Sequence, residues 1–267
     1  NLYRAPKGYS EEEAIAYYID AFKNILIEAT PVSDVAAVLM EPIEGEGGFV
    51  PAPIGYVKEI RKICDENGIL LIADEVQCGN CRTGRFYASE YWKDAGCAPD
   101  IITTAKSLGA GLPISAITAD EKIMDAVTPG TVGGTFCGNP LSCAAACKTL
   151  EIYERDDYAG KAALIGKKIM QFYKELLATY DVVGDVRGLG AMAGIEFVKD
   201  RRTKEPYPEF VRSMIAKAVQ KGLLIENAGT YDNVIRFLAP LCITDNQLKA
   251  GFGIFEDCIR ETLKELR

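Results

Sequence analysis

Histidine is absent from this 267-residue chain. That absence removes Ser/His and Cys/His nucleophile pairs, imidazole metal sites and the commonest general base together. Acid-base chemistry must therefore rest on Lys, Asp, Glu, Tyr or Cys. A basic excess is missing too: 30 Lys and Arg stand against 38 Asp and Glu, for a formal net charge of -8. The two signs are scattered rather than clustered, which argues against nucleic acid and anionic membrane as partners. No apolar run approaches the roughly 18 residues of a membrane span; Val35 to Met40 and Ile69 to Ala73 have the length of buried strands. No charged-then-apolar leader opens the chain. It begins Asn1-Leu2-Tyr3-Arg4 without an initiator Met, so a processed product or an incomplete record is expected. Internal repeats and low-complexity stretches are also lacking.

What is present is ordinary for a globular protein, 48% hydrophobic and 25% charged, in a chain long enough to bury a core without disulfide staples. Nine cysteines, an odd number, fall mostly inside apolar segments; reduced thiols in the cytoplasm are the expectation. Ser10 followed by Glu11, Glu12 and Glu13 predicts a capped helix to about Glu28. A strand is expected over 34–40, a helix over 53–66 closed by Asn67-Gly68, and a buried strand over 69–73 that ends at Asp74. Further strands at 101–104 and 114–119 and a helix over 140–155 continue the alternation, which predicts an α/β fold with a mainly parallel sheet covered by helices. After that the grammar changes. Helices over 159–180, 209–221 and 245–266, with strands at 192–198, 223–226 and 234–237, predict an α+β module. The boundary is placed near Asp156, giving domains of 1–155 and 156–267.

Asp74 and Glu75 stand at the carboxyl end of an expected parallel strand, where open α/β sheets place ligands; capping the strand and facing solvent is the plainer alternative. Lys106 follows the next strand. Ile101, Ile102, Leu108 and Leu112 flank it, and Gly109 and Gly111 allow close backbone approach. A lysine so placed can lose its proton and attack a carbonyl, although most loop lysines are merely solvated. Lysine and carboxylate together form the arrangement that pyridoxal phosphate needs to act as an electron sink.

At this point several ordered motifs come into play: Glu41-Pro42-Ile43-Glu44-Gly45-Glu46-Gly47-Gly48, Ala73-Asp74-Glu75-Val76-Gln77, Arg82-Thr83-Gly84-Arg85, Pro99-Asp100-Ile101, Ala105-Lys106 and Gly134-Thr135-Phe136-Cys137-Gly138-Asn139-Pro140. In this order they resemble the class III pyridoxal-phosphate-dependent aminotransferases. Residues 183–192 and 233–245 look most like the branch that acts on 4-aminobutyrate. The resemblance covers essentially the whole chain and implies the later part of a fold-type I large domain (1–155) followed by the C-terminal small domain (156–267). It implies that the family's earlier portion, with the phosphate cup and the aromatic that stacks on the cofactor, lies before the position matching Asn1.

Carried over residue by residue, the resemblance implies that Lys106 binds the cofactor covalently and later shuttles a proton. Asp74 would pair with the pyridine nitrogen, Val76 would pack on the ring and Gln77 would bond its hydroxyl. Thr135 would reach the cofactor phosphate of a partner subunit, which makes a homodimer with shared sites. Glu46 would mask Arg236 for the amine donor and free it for the α-carboxylate of glutamate or 2-oxoglutarate. A bidentate guanidinium suits a carboxylate, and a buried unpaired one is costly, so a mask is chemically sensible. A structural salt bridge between the two modules is the alternative. The activity so implied is transamination of 4-aminobutyrate and 2-oxoglutarate to succinate semialdehyde and glutamate. Rivals are another ω-aminotransferase, acting on ornithine, acetylornithine, a diamine or 5-aminovalerate, and a non-catalytic remnant.

Two patterns imitate other chemistry. Cys78-Gly79-Asn80-Cys81 has redox spacing, but no second cysteine pair lies at zinc-site spacing, and the family usually has a small residue and a Gly in this loop. Gly188-Leu189-Gly190-Ala191-Met192-Ala193 imitates a dinucleotide fingerprint but leads into a strand instead of a helix, so a strand entry is the better reading.

Overall fold

A capping box starts the first helix, α1 (Glu11–Glu28): the Ser10 hydroxyl accepts from the Glu13 amide, and the Glu13 carboxylate accepts from the Ser10 amide. The fold is that of a computed structural model, which describes residues 1–266; Arg267, the last residue of the expected small domain, lies outside the described residues. After α1 come β1 (Ala37–Met40), the short strands β2 (Ile43–Glu44) and β3 (Val50–Pro51), α2 (Ile54–Asn67) and β4 (Leu70–Asp74). Gly68 ends α2 in the left-handed region at φ 67°, where a glycine carries no Cβ penalty. Next are α3 (Glu90–Asp94), β5 (Ile101–Thr104), β6 (Ala116–Ala119), α4 (Glu121–Met124) and α5 (Pro140–Arg155). The remaining elements are α6 (Tyr158–Thr179), β7 (Val183–Leu189), β8 (Met192–Phe197), α7 (Pro208–Gln220), β9 (Glu226–Ala228), β10 (Val234–Phe237) and α8 (Asp245–Glu265).

The described residues form two compact units. The first comprises Asn1–Pro42, Ala52–Cys81 and Arg85–Ala159; the second comprises Ile43–Pro51, Arg82–Gly84 and the chain from Gly160 onward. In the first unit the sheet order is β1-β4-β5-β6. β1, β4 and β5 run parallel, whereas β6 is antiparallel to β5. The segment joining β5 to β6 holds only a single 3-10 turn at Lys106–Gly109 and no helix to cross over the sheet, so the strand expected at 114–119 forms as the antiparallel member of an otherwise parallel sheet. Val57, Ile60 and Cys64 of α2 recur at helical spacing and are buried with Leu71 and Ala73 of β4, Ile19 of α1 and Trp92 of α3. Asp100 ties the strands at their entry: its Oδ2 accepts from the Leu71 amide at 2.6 Å and pairs with Arg61 at 2.6 Å.

The second unit is built on the antiparallel sheet β7-β8-β10-β9. Every residue of β8 is buried. Two differences from the sequence reading have local causes. The strand expected at 223–226 is displaced to Glu226–Ala228 because Leu223 belongs to the end of α7: its amide donates to the Ala218 carbonyl at 2.9 Å past Gly222 at φ 81°, a Schellman-type closure. β7, with Gly184, Asp185 and Gly188, lacks strand propensity and is held by its pairing with β8 and by ion pairs of Arg187.

Candidate active site

Asp74 closes β4, and its register partner on β5 is Thr103. Its Oδ1 accepts from the Val76 amide at 3.0 Å and lies 3.5 Å from the Thr103 hydroxyl. Among the described residues nothing donates to Oδ2. The carboxylate is thus held at one oxygen, in an Asx-type turn, and open at the other. Val76 and Gln77 follow in the same turn, both half-buried.

Glu75 behaves oppositely to the solvent-facing alternative. It is completely buried; Oε1 accepts from the Ser89 amide at 2.5 Å and Oε2 from the Ala88 amide at 3.0 Å, with the Cys78 thiol at 3.2 Å. A buried carboxylate must be satisfied in this way. Glu75 therefore fastens the loop before α3 to the end of β4. Gly79 makes the turn possible: its amide donates to the Glu75 carbonyl at 3.0 Å, and a Cβ there would stand 2.7 Å from that oxygen.

Lys106 lies two residues past β5, exposed, with φ 44°. Among the described residues no carboxylate pairs with its ammonium. A non-glycine residue in the left-handed region is strained, and such residues concentrate at functional sites. The backbone before it is fixed by Asn80, whose Nδ2 donates to the Thr104 hydroxyl at 3.2 Å and the Ala105 carbonyl at 3.1 Å. Asn80 escaped the sequence reading; its one signal was the pair Gly79-Asn80, residues that suit the left-handed turn seen here, where Asn80 has φ 53°. Asp74 and Lys106 thus extend from the carboxyl ends of adjacent parallel strands. Thr135 is not joined to them by a hydrogen bond; it sits on an exposed segment before α5, whose first turn is capped by Asn139.

Cys78 and Cys81 are both buried and neither forms a disulfide. Burial pushes the Cys81 thiol up to about 11, with Glu90 and Asp157 adding to the shift, which keeps it protonated and unreactive. Among the described residues no group of three metal-ligating side chains occurs.

In the second unit Arg236 of β10 donates from Nη1 to Glu46 at 2.6 Å and from Nη2 to Glu226 at 3.1 Å. Its guanidinium lies 5.7 Å from the centroid of the Phe49 ring. Among the described residues no group hydrogen-bonds to its buried Nε. Glu46 belongs to the glycine-rich turn between β2 and β3, within the same unit as Arg236. That turn is anchored: the Glu46 carbonyl accepts from the Gly229 amide at 2.8 Å, and the Gly48 carbonyl accepts from Arg187 Nε at 3.0 Å. Arg187 is a further residue that sequence reasoning missed. It is itself held by Asp185 at 2.7 Å and the buried Glu196 at 2.6 Å. An open cleft of about 550 Å³ is lined by Glu46, Glu226, Asp232 and Arg236.

A carboxylate and an amine thus stand at and just past the carboxyl ends of neighbouring strands, and a buried guanidinium held by two carboxylates stands in the second unit. The family model for class III aminotransferases matches residues 2–259, and the chain belongs to that family. It is 43% identical over 254 residues to the 5-aminovalerate aminotransferase DavT of Pseudomonas aeruginosa, covering 95% of this chain and 58% of that protein. It is 41% identical over 261 residues to the 4-aminobutyrate aminotransferase GabT of Escherichia coli, covering 97% of this chain and 60% of that protein. The fold matches a PLP-bound amine transaminase from an uncultivated Pseudomonas species, with a TM-score of 0.88 at 32% identity, over 98% of this chain and 60% of that one. The chain therefore spans about three fifths of the length of the relatives it matches.

Proposed function

We propose that this chain carries the catalytic lysine and the substrate switch of a pyridoxal-phosphate-dependent aminotransferase that converts 4-aminobutyrate and 2-oxoglutarate to succinate semialdehyde and glutamate. The observation that carries the reading is the placing of Asp74 at, and of a strained, exposed Lys106 just past, the carboxyl ends of adjacent parallel strands. These residues fit the cofactor. Asp74 offers an open Oδ2 to a protonated ring nitrogen, while its Oδ1 is fixed by the Val76 amide. Among the described residues the Lys106 amine is engaged in no ion pair. When bound, pyridoxal phosphate supplies an electron sink for the substrate carbon. Asp74 would keep the ring nitrogen protonated, Val76 would bear on the ring, Gln77 would bind its hydroxyl, and Lys106 Nζ would remove and return the substrate proton.

Thr135 serves a partner subunit in a homodimer; support comes from three exposed apolar side chains close to it in the chain, Val132, Phe136 and Leu141, which an interface would cover. Cytoplasmic residence is supported by nine cysteines, none of them bridged. Arg236 takes the α-carboxylate of the dicarboxylic partner and Glu46 neutralises it for the amine donor.

The relative named for 5-aminovalerate supports a second reading in which the donor is one methylene longer. One methylene in a substrate pocket is worth roughly 10- to 200-fold, so steady-state kcat/KM for the two donors separates the readings. The account predicts 4-aminobutyrate ahead by at least about tenfold; 5-aminovalerate ahead would transfer the assignment. Lys106→Ala should abolish turnover with both donors, and retained turnover in that variant would overturn the reading as a transaminase.

A further inference from the structure

We propose that Glu226 is a second specificity-determining carboxylate, a fixed latch on Arg236 that sets how strongly the site takes a substrate α-carboxylate. This deepens, and rests on, the reading of Glu46 and Arg236 as the substrate switch.

The inference starts from register. β9 and β10 are antiparallel, and Glu226 is the direct partner of Arg236 across the ladder. Directly opposed residues project from the same face, with Cβ atoms about 5 Å apart. Backbone pairing therefore delivers the Glu226 carboxylate to the guanidinium, and it meets Nη2 at 3.1 Å. Glu46 arrives differently, from the turn between β2 and β3, and meets Nη1 at 2.6 Å. The guanidinium side chain is only 8% exposed, whereas the two carboxylate side chains are 78% and 65% exposed for Glu46 and Glu226. Both acids therefore reach in from solvent toward a buried cation.

The two carboxylates are not equivalent. Glu46 sits among Gly45, Gly47 and Gly48, with its backbone pinned through its carbonyl, so side-chain rotation suffices to carry its charge into solvent. The Glu226 side chain can rotate too, but the sheet holds its Cα directly opposite Arg236, so its charge stays near the guanidinium in any rotamer. When Glu46 swings out, Arg236 still has one counter-ion. An incoming carboxylate then gains Nη1 and the partnerless Nε, but must share Nη2. That nitrogen belongs to both edges on which a guanidinium grips a carboxylate with two parallel bonds. The guanidinium it meets is also already half neutralised. A site with two acids on one Arg thus binds dicarboxylates more weakly than a site with Glu46 alone. It remains well neutralised for a donor that brings no carboxylate to that end, since leaving a buried guanidinium unpaired is costly.

The experiment measures the two half-reactions separately in the holoenzyme, with 4-aminobutyrate and with glutamate, and measures the dissociation constant of glutarate, an unreactive dicarboxylate. Wild type, Glu226→Gln, Glu46→Gln and Arg236→Gln are compared. Glu226→Gln should tighten glutarate and raise the glutamate-to-4-aminobutyrate ratio of half-reaction kcat/KM by about 10- to 150-fold, the range of one charge-assisted hydrogen bond. A purely structural pair predicts a lower Tm in Glu226→Gln with glutarate affinity and ratio as in wild type, and that result overturns the latch. If Glu46→Gln and Arg236→Gln also leave glutarate affinity and ratio as in wild type, the switch reading itself fails. If those two variants move both quantities and Glu226→Gln moves neither, the switch stands and the latch falls.

Discussion

Neighbouring carboxylates with different tasks dominate the residue scale. Asp74 and Glu75 are adjacent, yet alternation along a strand end sends them apart: Asp74 keeps an open oxygen, while Glu75 is saturated by two amides and a thiol. The nearby Cys81 yields a pH prediction. Its folded pKa is raised to about 11 from an ordinary 9.0, so above pH 9 the unfolded chain loses a proton that the folded chain keeps. The stability it contributes is whole below pH 9 and is lost as pH climbs through 11, by about 2–3 kcal/mol. Urea midpoints at pH 8 and pH 10.5 should draw together between wild type and Cys81→Ala as pH rises; a difference independent of pH would contradict this origin. Lys106 and Asp74 were legible in the sequence because each follows a short apolar run that could only be a buried strand. Glu226 was not, since its relation to Arg236 exists only through the pairing of β9 with β10.

Capping chemistry made elements legible where it was local. Ser10 with Glu13 and Asn67-Gly68 marked helix ends that the structure keeps within a residue or so. β7 was illegible because its residues favour turns and its stability comes from β8 and from the Arg187 ion pairs. β6 was legible as a strand but not in direction, which depends on whether its connection forms a crossover helix. The two-residue link between β7 and β8 shows how closely backbones can approach in the second unit. Gly190 has φ 52°, and a Cβ on it would lie 2.3 Å from the carbonyl carbon of Thr83. Gly190→Ala should therefore destabilise the protein by at least about 1–3 kcal/mol, the cost of a strained left-handed residue alone. Thermal unfolding checks this: a Tm lowered by several degrees is expected, and an unchanged Tm would mean the hairpin relaxes at no cost.

For the whole molecule, length, acidity and the lack of histidine limited the chemistry, but the family became visible only through many short motifs in fixed order. Those motifs map onto turns and strand ends, where tight backbone geometry restricts the choice of residue, whereas core positions accept any apolar residue of suitable volume. The role proposed for Thr135 toward a partner subunit rests on resemblance, since an exposed threonine on a loop carries no physical signature of its own. The central claim is that Lys106 is the residue that bonds pyridoxal phosphate. Incubating the protein with the cofactor, reducing with borohydride and mapping the labelled peptides tests it most directly. The account predicts stoichiometric label on Lys106, lost in Lys106→Ala and weakened roughly 10- to 150-fold in apparent cofactor affinity by Asp74→Asn. Label spread evenly over surface lysines, or concentrated on a lysine other than Lys106, would contradict it.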